Sequence, residues 1–260
     1  MLTNPFHNKP STVDILGIPI LSVTIHEALD LIHQAIHNKE HLHIGVVNAA
    51  KIVNMKKNPG LREDVLSSDV IFADGASVVW ASRILGRPLP ERVTGIDLMT
   101  GMLDRGNIHG YRVFCFGATE EVSQKVAERI KSDYPNVVLA GRRNGYFSYA
   151  EEETIAQNIA DSKADILLVA ITSPKKENFL ARWSEKMGVT VCHGVGGSFD
   201  VMAGKVERAP ESWQRLGLEW LYRLKQEPGR LWKRYLVTNT HFCWLVFKEF
   251  FFNLFSQKTR

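Results

Sequence analysis

Two aspartates stand where predicted strands end, in VIFADG (residues 70–75) and in GVGGSFD (residues 194–200). Each lies beside the start of a helical pattern, so each carboxylate has two possible uses. Asp74 and Asp200 can hydrogen-bond to or act on a ligand held at the strand ends, or they can cap helices by accepting free N–H groups. The residues alone leave both uses open.

The same strand exits are rich in glycine. Gly194, Gly196 and Gly197 would let the backbone approach a nucleotide or a sugar closely. They do not complete the dinucleotide-binding pattern G-x-G-x-x-G, because Phe199 occupies its last position. A nicotinamide-dependent oxidoreductase, one enzyme alternative for a Rossmann-like chain, is therefore disfavoured.

No sequence motif for a metal or cofactor site occurs in the 260 residues. HExxH, GxSxG, a P-loop and paired aspartates are missing, and the histidines are scattered without ligand spacing. The three cysteines are widely separated and odd in number, which favours a reduced, cytoplasmic compartment. We predict metal-independent chemistry without a cofactor.

Short apolar or β-branched runs alternate with helical patterns along the chain. The alternation predicts an α/β fold, Rossmann-like, with a largely parallel sheet and flanking helices. In such folds the ligand crevice lies beyond the carboxyl ends of the strands. The predicted strands are residues 43–48, 70–74, 111–117, 136–141, 165–171 and 189–195.

The length suits one α/β domain with a smaller appendage, and the charge is unevenly distributed. Residues 205–260 carry 11 Lys and Arg against 5 Asp and Glu, whereas residues 1–204 carry 21 against 23. We therefore predict a Rossmann-like catalytic domain over residues 1–204 and a basic, aromatic-rich helical appendage over residues 205–260. The N-terminus has no apolar run long enough for a signal peptide, so we expect no export.

Four segments, in chain order, resemble the signature of the WecG/TagA/CpsF family of bacterial glycosyltransferases. The resemblance implies a Rossmann-like fold whose C-terminal helical appendage closes the active site and touches the membrane. It also implies an inverting sugar transfer from a UDP-sugar to a sugar on an undecaprenyl diphosphate carrier. The segments are FADGASVVWASRILGRPLPERVTGIDLM (residues 72–99), SPKKE (173–177), GVGGSFDVMAGKVERAP (194–210) and GLEWLYRLKQEPGRLWKRY (217–235).

By this resemblance the protein acts at the inner face of the cell membrane, in cell-surface polysaccharide or teichoic-acid biosynthesis. The expected donor sugar is N-acetylmannosamine, its uronic acid or a hexose such as glucose. The expected partners are the UDP-sugar, the polyprenyl-diphosphate-linked sugar and the membrane surface, and a homo-oligomer is possible. Nucleic acid is not expected, because the aromatics of the tail are continuous and apolar. A membrane-docked nucleotide-binding scaffold is the non-enzyme alternative.

The matching motifs imply roles for individual side chains. Asp74 matches the proposed base of the family, and a single displacement needs one base and no covalent nucleophile. Asn48 matches a position that could hydrogen-bond a sugar hydroxyl, although it could also cap the following helix. Arg92 matches an active-site arginine that would stabilise the diphosphate leaving group, with an ion pair to Glu91 as the alternative.

Further cations follow from the same motifs. Arg223, Arg230 and Lys233 match appendage residues that could reach over the active site and bind diphosphate. Lys176 departs from the usual family sequence S-P-K-Q-E and replaces a neutral glutamine with a cation that could recruit a carboxylate or phosphate. This departure leaves the donor sugar open.

Two apolar segments of the appendage each allow two interpretations. Residues 213–224 place tryptophans and leucines on one helical stripe, which favours core packing over a membrane face. Residues 241–255 are strongly apolar and aromatic but too short for a comfortable membrane span. They favour an interfacial helix, with a dimerisation or packing helix as the alternative.

Overall fold

A six-stranded parallel sheet forms the centre of the fold. The structure is a computed structural model that describes residues 11–257, except for the side chains of residues 230, 256 and 257. An antiparallel hairpin of Thr12–Asp14 (β1) and Pro19–Leu21 (β2) precedes the sheet. The sheet strands are Leu42–Val47 (β3), Val70–Ala73 (β4), Arg112–Gly117 (β5), Val138–Arg143 (β6), Ile166–Ala170 (β7) and Val191–Gly194 (β8). Their order is β4-β3-β8-β7-β5-β6 with every pairing parallel, so the predicted strands and fold class are confirmed.

Helices connect these strands and continue beyond the last one. Before β8 they are Ile25–Asn38 (α1), Ala49–Lys57 (α2), Pro59–Leu66 (α3), Ala76–Ile84 (α4), Gly95–His109 (α5), Glu120–Asp133 (α6), Glu152–Asp161 (α7) and Lys175–Trp183 (α8). After β8 they are Ser198–Met202 (α9), Glu211–Arg215 (α10), Glu219–Gln226 (α11) and Pro228–Gln257 (α12).

Alternate residues of each strand enter different hydrophobic clusters, which places helices on both faces of the sheet. Leu168 of β7 joins a cluster with α1, α5 and α6, whereas its neighbours Leu167 and Val169 join a cluster with α7 and α8. All five residues of β7 are buried, as a strand covered on both faces requires.

The crevice at the carboxyl ends follows from where the connections go. β3 and β8 are neighbours, but the helices after them pack into separate clusters, since Ile52 of α2 lies in one and Phe199 of α9 in the other. The connections after β3 and β8 therefore leave toward different faces of the sheet, and in open α/β sheets ligands bind where neighbouring connections part in this way.

Replacing Gly117 at the end of β5 by alanine should destabilise the sheet. Gly117 has φ +136°, and a Cβ there would lie 2.4 Å from the backbone carbonyl of Ala170 on the paired strand. We expect the free energy of unfolding to fall by at least about 2 kcal/mol, measured by urea denaturation. Gly60→Ala is the matched control, because a Cβ at Gly60 has only an ordinary contact at 3.5 Å. Equal denaturation midpoints for the two variants would contradict this account.

The last helix, α12, packs along the α2 and α4 side of the domain. Phe242 and Val246 are buried in the same cluster as α2 and α4. Arg87, which follows α4, pairs with Glu249 of α12 at 3.0 Å. Residues 241–255 are thus the second half of a 30-residue helix, one face of which is a packing face.

The division of the chain into domains at residue 204 stays a prediction.

α12 also carries exposed apolar side chains outside its packing face. It carries aromatic side chains that are largely accessible, namely Trp232, Trp244, Phe247, Phe252 and Phe255. Among the described residues, no helix has both the length and the apolar character needed to cross a membrane.

The prediction of one continuous core-packing stripe over residues 213–224 is wrong. The chain turns at Gly217, which has φ +70° and separates α10 from α11. Leu216 is 64% exposed, and none of the residues of α10 or α11 is fully buried. A Cβ on Gly217 would lie 2.6 Å from the Cβ of Ala76, so the turn sits directly on the first residue of α4.

Candidate active site

Three strand exits bring the predicted residues to one edge of the sheet. Asp74 follows β4, and its N–H donates to Val47 O at the end of β3 (2.8 Å). Asn48 comes next after Val47, and a Cβ placed on Gly75 would lie 3.3 Å from the Asn48 Cβ. Asp74 and Asn48 are therefore neighbours in the crevice.

Asp74 does not cap the helix that follows it. Gly75 is the N-cap of α4, and that helix has no side-chain cap. Asp74 Oδ1 instead accepts a hydrogen bond from the Gly95 N–H at the start of α5 (3.0 Å). The other oxygen, Oδ2, accepts no hydrogen bond from the described residues, so one edge of this carboxylate is available to a substrate proton.

The surroundings of Asp74 strengthen it as a base. Burial raises the pKa of the Asp74 carboxyl, while the Gly95 N–H and Lys51 act in the opposite direction. Glu219 of α11 raises the pKa further, and Arg223 of the same helix lowers it. The appendage helix is therefore close enough to the carboxylate to influence its charge.

Asn48 is a helix cap in this structure. It is the N-cap of α2, and its Oδ1 accepts from the Lys51 N–H at 3.0 Å. The capping interpretation is confirmed, and a contact between Asn48 and a sugar hydroxyl stays a prediction.

Lys176 is buried in a charge cluster with two partners. Glu177 Oε1 accepts from Lys51 Nζ at 2.8 Å and lies 3.1 Å from Lys176 Nζ. We call Lys51, Lys176 and Glu177 the lysine–glutamate cluster. A Cβ on Gly194 would come within 2.8 Å of the Lys176 side chain. The missing side chain of Gly194 thus makes room for Lys176.

Burial and mutual attraction set the charges of the lysine–glutamate cluster. Burial, and next Lys51, lower the pKa of Lys176 to about 8, against the opposing effect of Glu177. Burial acts to raise the pKa of Glu177, but Lys51 and Lys176 outweigh it and lower that pKa to about 2. At neutral pH, two ammonium groups share one carboxylate.

Replacing Glu177 by alanine should strongly destabilise the fold, because two buried ammonium groups would lose their counter-charge. We expect a loss of about 3–5 kcal/mol in the free energy of unfolding at pH 7, measured by urea denaturation. The loss should shrink at acid pH, because a carboxyl with a lowered pKa stabilises the fold only where it is ionised. Glu121→Ala, which breaks an exposed ion pair with Lys125, is the control and should cost under about 1 kcal/mol. A Glu177 loss no larger than that of the control would show that the cluster is not stabilising.

The loop after β8 has open space beside Gly196 and the Arg223 side chain beside Gly197. Gly196 has φ +55°, in the left-handed region that glycine favours. Gly197 is the N-cap of α9, and a Cβ on it would lie 3.1 Å from Arg223 Nη2. Asp200 does not cap α9, which has no side-chain cap, and its Oδ1 lies 3.7 Å from Lys205 Nζ.

Arg92 is paired with the appendage. Its Nη1 lies 2.8 Å from Glu219 Oε2 on α11. Glu91, the partner proposed from the sequence, instead accepts a hydrogen bond from the Ile25 N–H at 2.6 Å. The alternative of an Arg92–Glu91 pair is therefore wrong, because Glu91 points to the start of α1.

Of the three appendage cations predicted from the sequence, Arg223 is placed at the crevice. Its side chain makes no hydrogen bond or ion pair within residues 11–257, and its charge acts on Asp74. Lys233 is exposed on α12, without an ion pair to any described residue. The side chain of Arg230 lies outside the described part of the chain.

The sequence analysis assigned no role to Lys51, Glu177 or Glu219, although Glu177 and Glu219 lie within the matching segments and Lys51 comes three residues after Asn48. His193, in β8, is a packed histidine. It is fully buried with Nε2 3.1 Å from Gly95 O, and burial lowers its pKa to about 4. The neutral His193 ring thus hydrogen-bonds the Gly95 carbonyl oxygen, and the Gly95 N–H in turn donates to Asp74 Oδ1.

Within the described residues, no group of three or more His, Cys, Asp or Glu side chains is arranged to hold a metal ion. Independence from metals and cofactors stays a prediction, which chelation can test.

An open α/β sheet binds ligands, nucleotides among them, in the crevice at the carboxyl ends of its strands, where Asp74 and Arg223 lie. The sequence model described as "Glycosyl transferase WecG/TagA/CpsF family" matches residues 13–255. The chain therefore belongs to this glycosyltransferase family, as its motifs indicated.

Two curated relatives give the comparison more detail. A Bacillus spizizenii protein named N-acetylglucosaminyldiphosphoundecaprenol N-acetyl-beta-D-mannosaminyltransferase is 39% identical over 180 residues, which is 69% of each chain. A Bacillus subtilis protein of the same name is 40% identical over 174 residues, covering 66% of this chain and 67% of the relative.

Proposed function

We propose that this protein transfers a sugar from a UDP-sugar to a sugar carried on undecaprenyl diphosphate, with inversion at the anomeric carbon. The observation that carries the proposal is the placement of the Asp74 carboxylate and the Arg223 guanidinium at one crevice at the strand ends. The names of both relatives support a lipid-linked acceptor and make N-acetylmannosamine the first donor to test.

The proposed chemical step is a single displacement. The acceptor hydroxyl oxygen bonds to the anomeric carbon as the bond from that carbon to the UDP oxygen breaks, and Asp74 takes the hydroxyl proton. The unbonded Oδ2 of Asp74 is the atom available for that proton. The raised pKa of the carboxyl makes it a stronger base than an ordinary aspartate.

The leaving diphosphate gains negative charge as the bond breaks, and cations nearby would stabilise it. Arg223 is suited to this because its guanidinium has no ion-pair partner among the described residues. Arg92 would join it by exchanging the carboxylate of Glu219 for a phosphate oxygen. Arg230 and Lys233 are proposed as further contacts made when the lipid-linked acceptor is bound.

We propose that the acceptor is met at the inner face of the cell membrane. The support is the set of exposed aromatic side chains on α12, which lie on a segment rich in lysine and arginine. Aromatic side chains favour the lipid–water boundary, and basic residues favour anionic lipid. We also propose, on the sequence alone, that the protein forms a homo-oligomer and that it divides into a catalytic domain over residues 1–204 and a helical appendage over residues 205–260.

The decisive experiment measures UDP release with a panel of UDP-sugars and a synthetic lipid-diphosphate-sugar acceptor, with and without EDTA. The panel comprises N-acetylmannosamine, its uronic acid, glucose and glucuronic acid. Acceptor-dependent, EDTA-resistant release with an inverted product is the expected result. Binding of UDP-sugars without any turnover would favour the scaffold alternative, and loss of activity with EDTA would overturn metal independence.

A further inference from the structure

The lysine–glutamate cluster is a feature that the proposed reaction does not yet use. Its members come from two strand exits, since Lys51 lies in the first turn of α2 and the other two lie in the first turn of α8. All three side chains are at most 12% exposed. Buried charges of this kind are costly unless they are paired, so the cluster calls for a physical explanation.

The cluster carries one positive charge more than it balances internally. Two ammonium groups share Glu177 Oε1, while Glu177 Oε2 is buried and bonded to nothing among the described residues. Asp74 is connected to the cluster through two glycines, since its Oδ1 accepts from the Gly95 N–H and a Cβ on Gly95 would lie 3.7 Å from the carbonyl oxygen of Gly194, the residue against which Lys176 packs. Asp74 interacts electrostatically with both Lys51 and Lys176 and can supply the missing negative charge. Ionised Asp74 makes the group of four side chains neutral.

We propose that Lys176 is a positioning residue, whose ammonium group, held by Glu177 beside Lys51, favours the ionised form of Asp74. The proposal rests on the proposed function, in which Asp74 must be ionised to accept a proton.

The position of Lys176 disfavours a direct contact with a carboxylate or phosphate of the substrate. The side chain is 8% exposed and lies 3.1 Å from Glu177 Oε1. Its methylene groups fill the space that a Gly194 side chain would occupy. The Lys176 ammonium group already contacts Glu177. We therefore expect it to affect the reaction through its charge interaction with Asp74.

The other charged groups around these side chains come from α3 and α11. Asp64 of α3 lines the same cavity as the lysine–glutamate cluster, and burial raises its pKa. Glu219 and Arg223 face Asp74 from α11 with opposite signs. The histidines nearest to Lys176 are His43 and His193, and burial lowers the pKa of each to about 4, so both are neutral near pH 7. Lys176 itself remains mainly protonated below about pH 8, the range in which a carboxylate titrates.

The test compares pH profiles of kcat/KM for wild type and Lys176→Gln. Removing a cation should raise the pKa of Asp74 and move the acid limb to higher pH. Relative to its own rate at pH 7.5, the variant should be roughly three- to tenfold less active at pH 5.5 than wild type. Lys176→Met should behave in the same way, because charge rather than hydrogen bonding is removed. The variants should fold, since Lys51 and Glu177 remain as a one-to-one pair.

Lys175→Gln is the matched control. Lys175 is the preceding residue, but its Nζ donates to Phe147 O at 2.6 Å and lies 3.4 Å from the Phe147 ring centroid, away from the cluster. The acid limb of the kcat/KM profile of Lys175→Gln should coincide with that of wild type. An equal displacement in both variants, or none in Lys176→Gln, would overturn the proposal.

A second readout separates this proposal from the proposed function. The Gly95 N–H donates to Asp74, so its amide NMR shift reports ionisation of that carboxyl without any turnover. The Gly95 titration midpoint should rise in Lys176→Gln and Lys176→Met. An unchanged midpoint would overturn the role of Lys176. A raised midpoint in a protein that transfers no sugar would sustain that role and overturn the proposed function instead.

Discussion

Replacing Asp74 by asparagine should reduce kcat for sugar transfer by about 10²–10⁴-fold, with little change in KM for the donor. Asparagine keeps the shape of aspartate but cannot take the hydroxyl proton. Its amide oxygen can still accept the hydrogen bond from the Gly95 N–H, so the loss should be chemical and not structural. Steady-state UDP release with saturating acceptor measures the effect.

Stability gives an independent check on the same variant. The Asp74 carboxyl has a raised pKa, so the folded protein binds its proton more tightly than the unfolded chain does. Such a group favours folding at low pH, and the ionised form costs stability at neutral pH. Asp74→Asn should therefore unfold at the same temperature as wild type or higher. Full activity in a stable variant would show that Asp74 serves only to hold the start of α5.

Replacing Arg223 by alanine should be the second most damaging change, lowering kcat by about 10²–10³-fold. Arg223 is the appendage cation that lies over Gly197 and acts on Asp74 without an ion-pair partner among the described residues. The UDP leaving group would lose the charge that balances its departure. Arg223→Lys should recover only part of the rate, because an ammonium group cannot form the bidentate contact of a guanidinium.

Arg215→Ala provides the matched control for the arginine. Arg215 is on the same appendage but is 75% exposed and paired with Glu211 within α10. Its removal lowers the charge of the appendage equally without touching the crevice, so kcat should stay within twofold of wild type. Similar losses in both variants would mean that the appendage acts through its overall charge, which increasing salt would then screen.

The pattern of buried runs predicted the sheet well. Each of the six runs became a strand within a few residues of its predicted bounds, because strands covered on both faces must be apolar throughout. The hairpin of β1 and β2 was missed, since three-residue strands carry too little periodicity to be recognised. The continuous stripe over residues 213–224 failed for the opposite reason, because the periodicity ran through a turn at Gly217.

The candidate site was predicted in its residues but not in its contacts. Asp74 and Asn48 could be located because they follow buried strands directly. Whether Asn48 caps a helix, and whether Asp74 does not, depends on backbone angles that residue types alone do not determine. The partner of Arg92 was predicted as the adjacent Glu91, yet the true partner, Glu219, lies 127 residues away.

The sequence by itself determined the fold class, the family and the position of one carboxylate at a strand end. These follow from local patterns of burial and from motifs that can be recognised along the chain. Tertiary structure alone decided the lysine–glutamate cluster, the Arg92–Glu219 pair and the placement of Arg223 over the crevice. The physical reason is that charge interactions depend on distance and burial, and helices α8 and α11 meet the earlier strand exits only when the chain is folded.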